Sequence, residues 1–199
     1  MLRKTYKFVI VSVVILLVLG LTLPACTSKK PAETEQPSAP PAQQGEQPAL
    51  SFKAKTYTDD NNGFSIQYPD NWVARPEIAV GTIVAAFGVP AFIPGVSVSV
   101  RDADAPLTAE WIAKANEAEG NTKNKITSGP TETTLADGTK ASQYEGTFTT
   151  SQGYDIITFA VSADKGGKRI RATVWTIDAF SPYDEALFSE IAHTLTFTK

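Results

Sequence analysis

Three kinds of hydrophobic pattern follow one another along the chain. Residues 8–23 are almost continuously apolar, residues 27–50 are almost devoid of large apolar side chains, and from residue 51 onward apolar and polar positions alternate in short runs. The last region reads as strands and helices. Phe64, Ile66 and Tyr68 alternate with Ser65 and Gln67, the period-2 signature of a half-buried strand. Asp59-Asp60-Asn61-Asn62-Gly63 precedes it, and Asn-Gly favours the positive φ of a tight turn, which predicts a hairpin with the strand around Tyr57. Pro69-Asp70-Asn71 makes a further turn, after which Trp72 opens a short strand. Val96, Val98 and Val100 alternate with Ser97, Ser99 and Arg101. Tyr144, Gly146 and Phe148, then Ile157, Phe159 and Val161, then Ile170, Ala172 and Val174 mark three consecutive runs. Asp164-Lys165-Gly166-Gly167 turns the chain between the last two, so a meander is expected.

Two segments change to helical spacing. One starts at Thr108, an N-cap residue with Glu110 in the first turn, and carries Trp111, Ala115 and Ala118 on one face. The other is expected to start at Ser181, with Pro182 first in the helix, Asp184 completing a capping box, and Tyr183, Leu187, Phe188 and Ile191 as its apolar stripe. Leu195 to Phe197 close with a strand. Helices interleaved with antiparallel strands give an α+β fold, an antiparallel β-sheet with flanking helices.

The leading 25 residues have the parts of an export signal: the bases Arg3, Lys4 and Lys7, then the apolar stretch, then Leu23-Pro24-Ala25 directly before Cys26. That end resembles the lipobox of bacterial lipoproteins. The resemblance implies cleavage before Cys26, lipid attachment at Cys26, and an address outside the cytoplasm, on the bacterial cell membrane or the outer membrane. Residues 26–50, rich in proline and glutamine, cannot bury enough apolar surface to offset ordering and read as a disordered tether. At about 3.1 Å per residue its extended reach is roughly 75 Å. The organisation is therefore a signal peptide (1–25), a lipidated cysteine and tether (26–50), and one α+β domain (51–199).

Composition narrows the chemistry. Without Arg3, Lys4 and Lys7 the formal charge falls from −3 to −6, which disfavours nucleic acid as a partner. A single cysteine allows no internal disulfide, and a single histidine, His193, excludes sites built from several His or Cys ligands. Asp59 to Gly63 offers oxygen ligands but lacks the spacing of a calcium loop, so no metal and no cofactor are expected. Gly95-Val96-Ser97-Val98-Ser99 lacks the second glycine of a nucleophile elbow, and Gly166-Gly167-Lys168 lacks the spacing of a phosphate loop. The helical wheel sets His193 opposite the apolar stripe, on the surface. Lys123, Lys125, Arg169 and Arg171 read as solvated. No catalytic residues are expected, and the protein is read as a non-enzyme.

Gly63-Phe64-Ser65-Ile66-Gln67-Tyr68-Pro69, followed by Trp72, resembles the opening of PsbP-like domains, and the meander, late helix and final strand resemble the rest of that pattern over most of 55–198. The resemblance implies a shared scaffold and a tendency to bind other proteins, with no reaction to carry over.

Residues 78–100 carry no charged side chain. Gly81, Gly88, Pro90, Pro94 and Gly95 argue against a helix and for two strands, 82–87 and 96–100, joined by an apolar loop over 88–95. Val89, Phe92 and Ile93 in that loop are the candidate partner-binding residues; the same side chains could instead fold over the sheet end and complete the core. The expected function is binding or assembly of another envelope component, most plainly a protein, by a domain tied to the membrane through Cys26. The alternative is a small-ligand receptor with a pocket lined by Trp72, Trp111 and Trp175.

Overall fold

The computed structural model describes residues 49–91 and 93–198. The signal peptide, Cys26, nearly all of the tether and Phe92 lie outside the described residues.

The first hairpin joins β1 (Ala54–Asp59) to β2 (Phe64–Pro69), in register from Ala54 opposite Pro69 to Asp59 opposite Phe64. Its turn is closed by Asp59, whose Oδ1 accepts the amides of Asn61 and Asn62 at 3.0 Å each, while Gly63 takes φ 70°. The oxygen-rich stretch therefore serves its own turn. A final short strand, β10 (Thr196–Phe197), pairs with the other edge of β2, giving a three-stranded sheet in the order β1-β2-β10.

The remaining strands are β3 (Val73–Ala74), β4 (Ile83–Gly88), β5 (Gly95–Asp102), β6 (Thr122–Thr134), β7 (Lys140–Thr149), β8 (Asp155–Lys165) and β9 (Lys168–Thr176). They form one antiparallel sheet in the order β3-β4-β5-β9-β8-β7-β6. The expected meander is present, and β6 lengthens it. Lys165 pairs with Lys168 across the two-residue turn Gly166-Gly167, where both glycines have positive φ, 58° and 78°. That turn suits the right-handed twist of the strands it joins.

Alternation along β5, β8 and β9 divides the sheet into unlike faces. On one face, Val96, Val98, Phe159, Val161, Ile170, Ala172 and Val174 are buried together with Phe64 and Ile66 of β2 and with Phe188, Ile191, Ala192 and Leu195. Burying each of the larger side chains here, valine and upward, contributes about 1.5–3 kcal/mol. Helix α2 (Glu185–His193) supplies much of this layer. The opposite face carries Ser97, Ser99, Arg101, Ser162, Arg169 and Arg171 and is covered in part by α1 (Ala109–Ala118), where Ile112 is buried with Tyr144 and Ala160.

The start of α1 follows the sequence: Thr108 is the N-cap, and its Oγ1 accepts the Trp111 amide at 3.1 Å. The buried residues of α1, however, are Ile112 and Ala115, and Ala118 is exposed. The start of α2 is later than expected. Asp184, not Ser181, is the N-cap and accepts the Leu187 amide at 3.1 Å. The carbonyl of Ser181 is instead engaged by Thr176 Oγ1 at 2.8 Å, within a turn that closes on Ile177. Only Ser181 has an acidic side chain three residues on, since Asp184 is followed at that spacing by Leu187, yet it is Asp184 whose side chain accepts the N3 amide, and that backbone partner decides.

Candidate functional site

The register places one row of residues across the large sheet: Val73, Gly88, Gly95, Trp175, Thr158 and Gly146. The β4–β5 loop, the β9–α2 connection and the β7–β8 turn all emerge on the same side of this row. At this end the chain exposes Phe180 (68%) and Tyr154 (50%), with Val73 (42%) on the edge strand. These are three of the four large apolar side chains that the described residues leave exposed. Isolated exposed apolar residues are ordinary, but several at one end of a sheet mark a surface suited to contact.

The 88–95 loop belongs to this end. The Val89 amide donates to the Pro94 carbonyl at 3.2 Å, which closes the loop. Arg75, beyond the end of β3, donates from Nη2 to the Val89 carbonyl and, at 2.8 Å, to the Pro90 carbonyl. Val89 is half-buried and packs on the main core, Ile93 is half-buried, and Pro90 and Ala91 are exposed. Part of the loop thus closes the sheet end while Pro90 and Ala91 face outward. The charged residue that fixes the loop comes from outside the uncharged segment, so the segment alone does not disclose it.

The three tryptophans do not converge. Trp72 is in the main core. Trp111 packs against the smaller cluster beneath α1. Trp175 lies over Gly95, whose missing Cβ leaves room for the indole.

The face beneath α1 corrects a second expectation. Arg169 and Arg171 are buried, not solvated. Their spacing about Ile170, a core residue, turns both onto the opposite face, and α1 with the preceding loop covers them. Arg169 is held by Asp164 through two parallel bonds of 2.7 Å, donates to the Ala105 carbonyl at 2.8 Å, and lies 4.5 Å from the centre of the Trp111 ring. Arg171 reaches Tyr144 Oη at 3.2 Å and Glu119 at 3.5 Å, and Glu119 also pairs with Arg101. Burial works against the Arg171 charge, but Tyr144 and Glu119 outweigh it and hold the guanidinium more firmly protonated than usual.

A groove of about 500 Å³ opens on this face, away from the apolar end. It is floored by Ser142, Ser162 and Arg169 and walled by Pro106 and Leu107, with Lys140 and Glu132 at its sides. His193 is half-buried rather than surface-exposed. Its Nε2 lies 3.2 Å from Thr133 Oγ1, Nδ1 lies 2.8 Å from the Ser189 carbonyl, and the ring packs near Phe159. The helical wheel missed this because β6 reaches over the helix's polar side. No group of three or more His, Cys, Asp or Glu side chains able to hold a metal occurs among the described residues.

No family model and no curated protein sequence matches the chain. Solved structures do. The cyanobacterial PsbP (CyanoP) of Synechocystis sp. PCC 6803 superposes with a TM-score of 0.55 at 17% identity, over 76% of this chain and 96% of that one. The Ran-binding protein Mog1p of Saccharomyces cerevisiae gives 0.49 at 10% identity, over 75% and 97%. LpqN, involved in cell envelope biogenesis of Mycobacterium tuberculosis, gives 0.49 at 13% identity, over 75% and 93%. With its antiparallel sheet, its two helices and this likeness to cyanobacterial PsbP, the described domain has the PsbP-like α+β fold.

Proposed function

We propose that this chain is a non-enzymatic lipoprotein, anchored outside the cytoplasm through Cys26, whose domain binds or helps assemble another protein of the cell envelope at its apolar sheet end. The observation that carries the reading is that exposed Phe180, Tyr154 and Val73 stand at the same end of the sheet as the 88–95 loop. The anchor rests on the signal-like segment that ends at Cys26. A stable protein contact needs an apolar centre with a polar rim. Arg75, Glu77, Asp155 and Asp178 stand near these apolar residues in the chain and can supply such a rim.

A photo-crosslinking residue placed at Phe180 or at Ile93 of the full chain in its own envelope tests this reading. Both positions are expected to trap the same discrete adduct, and Val73→Ser combined with a crosslinker at Ile93 to lose it. Adducts obtained from a control position on α1, such as Glu117, but from neither loop would overturn the assignment of the surface. For the anchor, Cys26→Ser is expected to release the protein from membranes or leave it uncleaved. Normal processing with membrane retention in that variant would refute lipidation.

A further inference from the structure

We infer that the partner of the apolar sheet end is a protein surface whose apolar centre is rimmed by lysine and arginine. The inference rests on the protein-binding reading of that end and names the chemistry of what binds there.

The charge of the domain is unevenly placed. Residues 51–199 hold thirteen Lys and Arg against eighteen Asp and Glu, a formal side-chain charge of −5. Residues 141–163 and 172–192 hold six of those acids, Glu145, Asp155, Asp178, Asp184, Glu185 and Glu190, and no Lys or Arg. All other residues of the domain together carry +1. The two acidic segments are the ones that bear exposed Tyr154 and Phe180.

The tertiary structure joins the segments. Tyr183 donates from Oη to Glu145 Oε2 at 2.7 Å, and its amide donates to Asp178 Oδ1 at 3.3 Å. Burial, the bond to Glu145 and the charges of Glu145 and Glu185 together hold the Tyr183 hydroxyl protonated well above the ordinary tyrosine range. Glu145, Asp178, Asp184 and Glu185 thus gather about the β9–α2 connection, which carries Phe180, while Asp155 adjoins Tyr154. Asp155, Asp178, Asp184 and Glu185 are exposed. Among the described residues none of the six acids is in an ion pair. The hydrogen bonds that five of them accept come from neutral hydroxyls and amides, so their charge is not cancelled.

One sign of charge beside exposed apolar side chains selects the occupant. A second copy of the chain would set carboxylate against carboxylate, and anionic lipid headgroups would be repelled in the same way. A protein surface with an apolar centre and a basic rim meets both features: the centre excludes water, and the rim speeds encounter and fixes orientation.

The test uses the full chain in its own envelope with the photo-crosslinking residue at Phe180. The crosslinked partner peptide, identified by mass spectrometry, is expected to adjoin lysine or arginine. Asp178→Lys with Glu185→Lys should lower the adduct yield about tenfold, as two attractive rim contacts become repulsive. Asp178→Asn with Glu185→Gln keeps an acceptor for the Tyr183 amide and should lower it less. Glu110→Lys with Glu117→Lys on α1 makes the same change of net charge and should leave the yield unchanged. Exchanging the partner's adjoining base for glutamate should restore the adduct of the Asp178→Lys, Glu185→Lys chain. Undiminished adduct in both the lysine and the amide variants would overturn the inference and leave the protein-binding reading standing. So would an equal loss in the α1 variant, a contact peptide without bases, or an adduct of two copies of this chain. No adduct from Phe180 or Ile93 of the unaltered chain would overturn the protein-binding reading and this inference with it.

Discussion

The guanidinium of Arg169 lies 4.5 Å from the centre of the Trp111 ring, and through this contact the first helix rests on a polar face of the sheet. Asp164 fixes the guanidinium from one side and the Ala105 carbonyl from another. The indole then covers a charge that is already paired, which suits a cation–π contact out of water. Trp111→Ala is expected to cost about 2–3 kcal/mol, below the range for a fully buried aromatic because Trp111 is half-buried. Trp111→Phe should cost about 1 kcal/mol, since it keeps a ring over the cation. Urea unfolding followed by far-ultraviolet circular dichroism measures both. Equal losses would show that a ring restored over the cation recovers nothing, and would refute the contact's role.

Glu119 is shared by Arg101 and Arg171. Removing it strands two cations on a face that α1 covers, whereas removing Arg101 leaves the carboxylate with Arg171. Glu119→Ala is therefore expected to destabilise by about 2 kcal/mol, and Arg101→Ala by under about 1 kcal/mol. The first figure is set below the cost of breaking a fully buried pair because Glu119 retains some solvent contact. Denaturant midpoints of the two variants decide the order, and the reverse order would contradict the shared-carboxylate account.

Gly95 is required by space, not by backbone conformation. A Cβ there would stand 2.6 Å from Trp175 Cζ2 and 3.0 Å from the Phe87 carbonyl oxygen. Gly95→Ala should cost about 1–3 kcal/mol through overpacking. Trp175→Leu in the same chain should recover part of the loss, but not all, because the Phe87 carbonyl belongs to the backbone and cannot withdraw. A double-mutant cycle reads this coupling directly. Simple additivity would place the indole elsewhere.

Asp137 ties the last strand to the turn between β6 and β7, with Oδ2 accepting the Phe197 amide at 2.8 Å and Oδ1 the Thr139 amide at 2.9 Å. Burial would raise its pKa, but these two amides, the Thr139 side chain and nearby Lys165 outweigh burial and hold it below the usual value. The folded-state pKa is the lower one. Its stabilisation is therefore complete above the unfolded-state pKa, near 4, and is lost as the pH falls through the folded-state value. Asp137→Asn should flatten that part of the stability profile below about pH 4. Chemical unfolding of both proteins across this range is the measurement, and parallel profiles would exclude the role.

Much of the fold is legible in the residue pattern. The valine alternation of β5, the Gly166-Gly167 turn and the Thr108 cap are local devices, and each occurs where its residues predict. Strand β6 is the clearest omission. Its apolar content is essentially Ile126, both its faces are largely exposed, and its register against β7 shifts three times. As an edge strand it carries lysines, Pro130 and irregularities, all of which discourage pairing with other chains and erase the period-2 signal.

The sequence by itself determined where strands and helices can begin, which side of β5, β8 and β9 is apolar, and that one region is unusually free of charge, because each of these depends on neighbours within a few residues. Only the tertiary structure decided that Arg169 and Arg171 are buried, that Arg75 fastens the 88–95 loop, that His193 meets Thr133, and that Phe180, Tyr154 and Val73 share one end of the sheet with the 88–95 loop. Those relationships join residues far apart in the chain, and strand order with helix placement creates them. Local pattern tells which face a side chain takes; it cannot tell what will cover that face.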